Sequence, residues 1–235
     1  MIIAMLGFAI EDSLIRLISL SIPFGQVLFL FGLGGALIFA FFCKVQKQQL
    51  FVKEVLSKPM KIRMFFELIG RLFYSISLVL MPISLVTLVL QATPIFVVAG
   101  AALIFRETVS VFRWIAIFSG LLGVIIIIEP ASDGFSPYVL FAVLGMLGFA
   151  GRDLGSRAAS PKLSYNHLGF YGFVAVMSAG IIFSVWANTT YVSCNIQTLL
   201  YIILLISIGC FSYFSLMKAM RRGDVSFVTP FRYTR

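Results

Sequence analysis

Charged side chains interrupt this chain too rarely for a water-facing surface. No Asp, Glu, Lys or Arg occurs from Leu17 to Cys43, Leu72 to Phe105, Gly134 to Gly151 or Leu168 to Met217. A membrane-crossing helix needs roughly 20 apolar residues, so each run holds one or two spans. The turns between them predict helices at about 1–22, 24–43, 64–81, 83–105, 114–128, 138–157, 167–187 and 197–217, then a stub at 225–235. Pro94 falls inside the fourth. Its missing N–H frees one carbonyl, so a kink is expected there, facing protein or a watery cavity.

The chain also repeats itself. Residues 7–19 read GFAIEDSLIRLIS and residues 148–160 read GFAGRDLGSRAAS, and PISLVT at 82–87 is echoed by DVSFVT at 224–229. The offsets are 141 and 142, too long for a solenoid and suited to a duplicated membrane half. Five spans fit in one period, so the second copy must enter the bilayer upside down. The expected fold is an all-α, polytopic membrane helix bundle of two inverted five-helix repeats, residues 1–130 and 136–235. Arg235 aligns with Thr93, so counterparts of residues 94 to about 130 do not follow. The sequence reads as a fragment or as the product of a truncated gene.

Composition sharpens this picture. The chain is 60% hydrophobic and 11% charged, about half the charge share of a soluble domain. Its net charge of +9 would suggest nucleic acid, but the basic residues cluster in alternate loops. Lys44, Lys47, Lys53, Lys58, Lys61 and Arg63 follow span 2, Arg106 and Arg113 follow span 4, Arg157 and Lys162 follow span 6, and Lys218, Arg221 and Arg222 follow span 8. The positive-inside rule then puts the N-terminus in the cytoplasm. Glu11 and Asp12 in the first segment, with no small-residue cleavage site, argue against a signal peptide. Asn188-Thr189-Thr190 matches a glycosylation acceptor but reads as an ordinary polar turn. The three cysteines give no disulfide framework. Gly145, Gly148, Gly151 and Gly155, Gly120 and Gly123, and Gly32, Gly34 and Gly35 read as close helix contacts, which small residues favour in lipid. Trp114, Tyr138 and Trp186 sit at span ends as interface anchors.

Charges inside spans are the candidate chemistry. Asp12/Arg16, Glu67/Arg71 and Asp153/Arg157 each place an acid four residues before a base, on one helix face, and such pairing reduces the cost of charge in hydrocarbon. For Glu67 and Arg157, near the inner interface, holding helices in register is the reading adopted. For Glu11 and Asp12, near the bilayer middle, a coupling role is adopted, since a buried carboxylate with a raised pKa carries a proton. Glu11 aligns with Arg152 in the repeat, which suggests a contact across the pseudo-two-fold axis. Gln26, Tyr74 and Gln91 are further cavity candidates, with Asp153 and Tyr233. Gln91 lies three residues before Pro94, and its amide either binds solute or mends the kink. Glu107 opens the turn before span 5 and reads as a capping acid.

Neither a Walker loop, a zinc-ligand spacing nor a Ser-His-Asp set appears, and His167 is the single histidine. An enzyme is therefore not expected, nor a metal, a cofactor or a nucleic-acid partner. The expected partners are the lipid bilayer, a small solute and a coupling proton or ion.

Several segments carry a resemblance: ATPIF (92–96), FRETVS (105–110) with Arg113-Trp114, GLLGVIIII (120–128), GRDLGSR (151–157) and AMRRGDVSFVTPFRYT (219–234). With these the chain resembles the EamA branch of the drug/metabolite transporter superfamily, in a bacterial subgroup. Pro94, Glu107, Arg113, Trp114, Pro230 and Arg232 stand in the matching motifs. The resemblance implies ten helices in two inverted repeats with both termini cytoplasmic. It also implies small-metabolite transport by alternating access in the bacterial inner membrane. Family members export amino acids and related metabolites or import vitamins and nucleoside-like compounds, and the subgroup looks similar to riboflavin-type and S-adenosylmethionine-type uptake carriers. Phe31 stands where many relatives carry Arg. A secondary carrier is the leading reading, and a non-transporting product of a truncated gene is the alternative.

Overall fold

The computed structural model describes residues 1–128, 137–222 and 224–234. The outer linker expected at 129–137 lies outside these residues except for Pro137, as does Arg235. The helices are α1 (Ile2–Ile18), α2 (Phe24–Val45), α3 (Lys58–Leu80), α4 (Ile83–Leu90), α5 (Thr93–Phe105), α6 (Val111–Ile128), α7 (Val139–Ala158), α8 (Tyr165–Trp186), α9 (Ile196–Arg222) and α10 (Val225–Val228). Among the described residues, five stretches are long and apolar enough to cross a membrane: Phe24–Val45, Ile83–Phe105, Val139–Ala158, Tyr165–Trp186 and Ile196–Arg222. α1 and α3 fall outside that class because α1 is short and both carry charges. Glu11, Arg63, Glu67 and Arg71 on them are buried, so these charges face neighbouring helices rather than lipid.

Three helix pairs dominate the packing: α2 with α8, α3 with α7 and α1 with α9. Small residues let their backbones approach. A Cβ added to Gly148 would lie 2.3 Å from Gly70 Cα, and one added to Gly7 would lie 1.9 Å from Ser212 Oγ. These two contacts are repeat mates. The 141-residue offset carries Gly7 to Gly148, and the 142-residue offset carries Gly70 to Ser212. Down the α3/α7 seam, Arg63 meets Gly155, Phe66 meets Gly151, Gly70 meets Gly148 and Tyr74 meets Gly145. One index falls as the other rises, so the pair is antiparallel. Since α1 and α3 are separated by one returning helix, α1 and α7 run in opposite directions. Of the expected packing glycines, Gly123 departs, with nothing among the described residues within 4 Å of a Cβ built on it.

Span 4 breaks into α4 and α5 just before Pro94. Leu90 O is the carbonyl that Pro94 leaves without its helical partner. Thr93 Oγ1 donates to that carbonyl, so the neighbouring hydroxyl mends the kink and Gln91 does not. Within the 225–235 stub, the described residues form one turn of α-helix followed by a 3-10 segment, Thr229–Thr234. Pro230 inside that segment removes a backbone donor and does not support a regular α-helix. α3 begins before the expected boundary at 64, which moves Arg63 from an inner loop into the core, where it is 0% exposed.

One end of the bundle is stitched shut. Asn166 donates to Gln46 Oε1 at 3.0 Å, Ser164 to Gln48 Oε1 at 2.7 Å and Tyr171 to Leu50 O at 3.2 Å, while His167 Nε2 meets Gln49 O at 2.9 Å. Lys162 pairs with Glu54 at 3.3 Å. A backbone hydrogen bond and Lys162 hold the Glu54 carboxyl below its usual range. Arg221 donates to Leu163 O and, at 3.0 Å, to Ser160 O. The connection between α2 and α3 is thus tied to the one between α7 and α8.

Candidate functional site

Helices α1, α3, α4, α5 and α7 and the C-terminal segment enclose a cavity of about 300 Å³. α1 contributes Met5, Phe8, Ala9, Glu11, Asp12 and Ser13, α3 contributes Arg71 and Tyr74, and α7 contributes Phe149 and Arg152. The broken span supplies Ile83, Thr87, Leu90, Gln91, Thr93 and Pro94, and Arg232 closes the wall. A second groove shares Asp12 and Ile83 and follows Ile15, Arg16, Ser19 and Leu20 toward the ends of α1 and α3. Asp12 sits where the two meet. The break at Pro94 turns the α4–α5 corner into the cavity, which places the Gln91 amide on its surface with its kink duty already taken by Thr93.

The buried charges do not pair as helical spacing suggests. Glu11 meets Arg71 of α3 at 3.4 Å, so the expected Glu67/Arg71 pair gives way to a cross-helix pair. Glu67 instead binds Arg63 at 3.7 Å and Arg152 at 3.4 Å and accepts from Tyr213. Asp153 is held by Arg152 at 2.9 Å and by Arg232, not by Arg157. Arg157 donates to Arg221 O at 3.2 Å. Asp12 accepts from Tyr74 at 3.1 Å, while Arg16 is exposed. The Glu11–Arg152 contact anticipated across the repeat axis is replaced by Glu11–Arg71, although both acid and base line the same cavity. A buried ion needs a desolvated partner at short range, and helix rotation decides which base supplies it: Arg63 of the same helix and Arg152 across the seam for Glu67, Arg152 and Arg232 for Asp153, and Arg71 across the seam for Glu11.

Two buried ionic groups result, Glu11 with Arg71 and Glu67 and Asp153 with Arg63, Arg152 and Arg232, and the half-buried Asp12 lies beside the first. Aromatic rings order them. Arg152 lies 4.8 Å over the Phe149 ring, and Arg71 lies 5.9 Å from Phe149 and from Phe31. Tyr74 packs edge-on against Phe149 at 5.6 Å.

Other expected cavity residues are placed elsewhere. Gln26 is buried against the connection between α8 and α9, with Nε2 donating to Val192 O at 2.7 Å and Oε1 accepting from Val192 N at 2.9 Å. Its amide is fully engaged with that backbone, which removes it from the cavity wall. Tyr233 donates to Ile117 O at 2.9 Å and packs on Gly120. Asp153 stands behind Arg152 and Arg232 rather than on the surface. Glu107 caps a different helix from the one expected: it accepts from Val225 N at 3.4 Å and Ser226 N at 3.3 Å, at the start of α10. Arg113 backs it, donating to Ser226 Oγ at 2.5 Å and lying 3.7 Å from Asp224. Trp114 stacks on Phe118 at 5.9 Å.

Sequence reasoning passed over Arg63, Tyr213, Phe149 and Thr93. The repeat held a signal for two of them: Phe149 aligns with Phe8 and Tyr213 with Arg71. Arg63 gave none, because its basic neighbours made it look like loop. Among the described residues no group of His, Cys, Asp and Glu is arranged to hold a metal ion.

A family model described as the EamA-like transporter family matches residues 1–129. The S-adenosylmethionine uptake transporter of Rickettsia prowazekii (strain Madrid E) is 26% identical over 166 residues, which is 70% of this chain and 55% of that protein. Its counterpart in Rickettsia bellii (strain RML369-C) is also 26% identical over the same shares. The riboflavin transporter of Vibrio cholerae serotype O1 is 28% identical over 151 residues, 62% of this chain and 48% of that protein. The chain spans about half the length of the curated relatives it matches. A solved crystal structure shares the fold, with a TM-score of 0.80 at 18% identity, covering 98% of this chain and 81% of that one.

Proposed function

The chain belongs to the EamA-like transporter family, and on that premise we propose that it is a secondary carrier moving a small metabolite across a bacterial inner membrane by alternating access. Its two halves, residues 1–130 and 136–235, are inserted in opposite senses, and its N-terminus is cytoplasmic. The observation that carries this reading is the pairing of a charge-lined cavity with one stitched end. The seam between the two loops lies at the ends of α2 and α8 that the basic residues assign to the cytoplasm. The groove from Asp12 follows α1 and α3 toward the other side. Together they support the reading of an outward-facing state.

Asp12, at the mouth of that groove, and Glu11 beside it carry the coupling proton in this reading. The solute occupies the space between Gln91, Tyr74 and the arginines. The substrates named for the relatives, S-adenosylmethionine and riboflavin, are the first to test.

The test is uptake of radiolabelled S-adenosylmethionine, riboflavin and a panel of amino acids by proteoliposomes holding this chain, with and without an imposed pH gradient. Saturable uptake that responds to the gradient supports the carrier. A folded chain that moves none of them is the non-transporting product instead.

A further inference from the structure

Arg152 is 6% exposed and lines the cavity. Its Nε donates to Asp153 at 2.9 Å and its Nη1 to Glu67 at 3.4 Å. Nη2 has no hydrogen-bond partner among the described residues. Two more guanidiniums reach the same wall. Arg71 arrives from α3 with its Nε buried and without a hydrogen bond, and Arg232 arrives from the C-terminal segment. The acids that face the cavity, Glu11 and Asp12, sit together on α1.

The repeat explains why the wall is lopsided. Phe8 and Phe149 are mates and both line the cavity, whereas Glu11 and Arg152 are mates of opposite charge. Matching positions thus give the cavity an acidic side on α1 and a basic side on α7. A planar guanidinium matches the two oxygens of a carboxylate or phosphate. Asp153 and Glu67 hold Arg152 from behind and from the side, so its remaining edge is fixed in direction before any solute arrives.

We infer that Arg152, flanked by Arg71 and Arg232, is the seat for an oxyanion of the transported solute, either a carboxylate or a phosphate. The apolar remainder of the solute then lies along Phe8, Leu90 and Pro94. This rests on the carrier reading for the word transported, but the seat itself is a binding site.

The experiment is modification of the full chain in lipid nanodiscs by phenylglyoxal, an arginine-specific reagent, with each arginine followed by peptide mass spectrometry. Benzoate, phenyl phosphate and the neutral isostere benzamide serve as probes. An anion at ten times its Kd leaves about a tenth of the sites open, so modification of Arg152 is expected to slow about tenfold. Protection by benzoate assigns a carboxylate, and protection by phenyl phosphate assigns a phosphate. Equal protection by benzamide, protection by none of the three, or an Arg152 that never reacts overturns the proposal. In Arg152→Lys, which keeps the charge and loses the fork, anion protection of Arg232 is expected to vanish, and its persistence moves the seat off Arg152. Binding is read here without transport. A chain that carries solute but shows no protection therefore sinks the seat alone, and a protected chain that carries nothing sinks the carrier reading alone.

Discussion

Glu11 of α1 and Arg71 of α3 meet at 3.4 Å with side-chain exposures of 3% and 7%. Both line the cavity wall. Removing Arg71 strips a buried carboxylate of this ion pair, so Arg71→Met is expected to destabilise the bundle by about 3–5 kcal/mol. Replacing both, as Glu11→Met with Arg71→Leu, is expected to recover most of that loss. Reversible denaturation in mixed micelles measures both. A double variant as unstable as the single one would show that the pair is not the unit.

Gly148 and Gly7 are repeat mates that meet different neighbours. A methyl at Gly148 runs into Gly70 backbone, which does not give way, whereas at Gly7 it meets the Ser212 hydroxyl. Gly148→Ala should cost about 1–3 kcal/mol by overpacking, and Gly7→Ala less. Gly123→Ala, with open space around it, should be neutral. Thermal midpoints of the three variants in one detergent give the ranking, and a neutral Gly148→Ala would mean the seam is looser than described.

Thr93→Val keeps the shape of the side chain and deletes its hydroxyl. The Leu90 carbonyl then loses its donor beside a proline that has none to offer. A loss of about 1–3 kcal/mol is expected, with the α4–α5 corner opening first. Hydrogen exchange across residues 83–105 detects this. Gln91→Ala at the same corner should leave the exchange pattern unchanged and alter solute binding instead.

Glu107 holds the first amides of α10. Glu107→Ala is expected to cost about 0.5–2 kcal/mol, the range of a lost helix cap. The effect should be confined to the C-terminal segment. Protease cleavage after residue 222 should accelerate while cleavage of the loop between α2 and α3 stays constant.

If the seam at the stitched end opens during each cycle, locking it stops transport. Cysteines at Gln48 and Ser164, in a chain whose Cys43, Cys194 and Cys210 are replaced by Ala, should form a crosslink that abolishes uptake and is reversed by reduction. Unimpaired uptake by the crosslinked chain would place the moving parts elsewhere.

Much of the architecture was legible in the residues. Helix positions followed from charge-free runs, and the Pro94 break from the missing donor. The α1/α7 relationship followed from an odd number of spans per repeat. The site was less legible. Asp12, Tyr74, Gln91 and Glu11 do meet at one cavity, but Gln26 and Tyr233 face other seams. Polar residues in apolar spans have two uses, lining a cavity or pinning a loop, and composition does not separate them. Glu107 illustrates the same point at the membrane edge. Its local spacing fits a cap for α6, yet the free amides it reaches belong to a helix more than a hundred residues later.

Alone, the sequence determined where the chain enters lipid and that its halves are built alike, because transfer into hydrocarbon is a sum over neighbouring residues and leaves its mark in local composition. Only the tertiary structure decided which acid meets which arginine, and which helix faces form a cavity. Those choices depend on the rotation of each helix about its own axis. In spans apolar nearly all round, no local preference fixes that rotation. It is settled when Gly148 closes on Gly70 and the buried charges find partners across the seams.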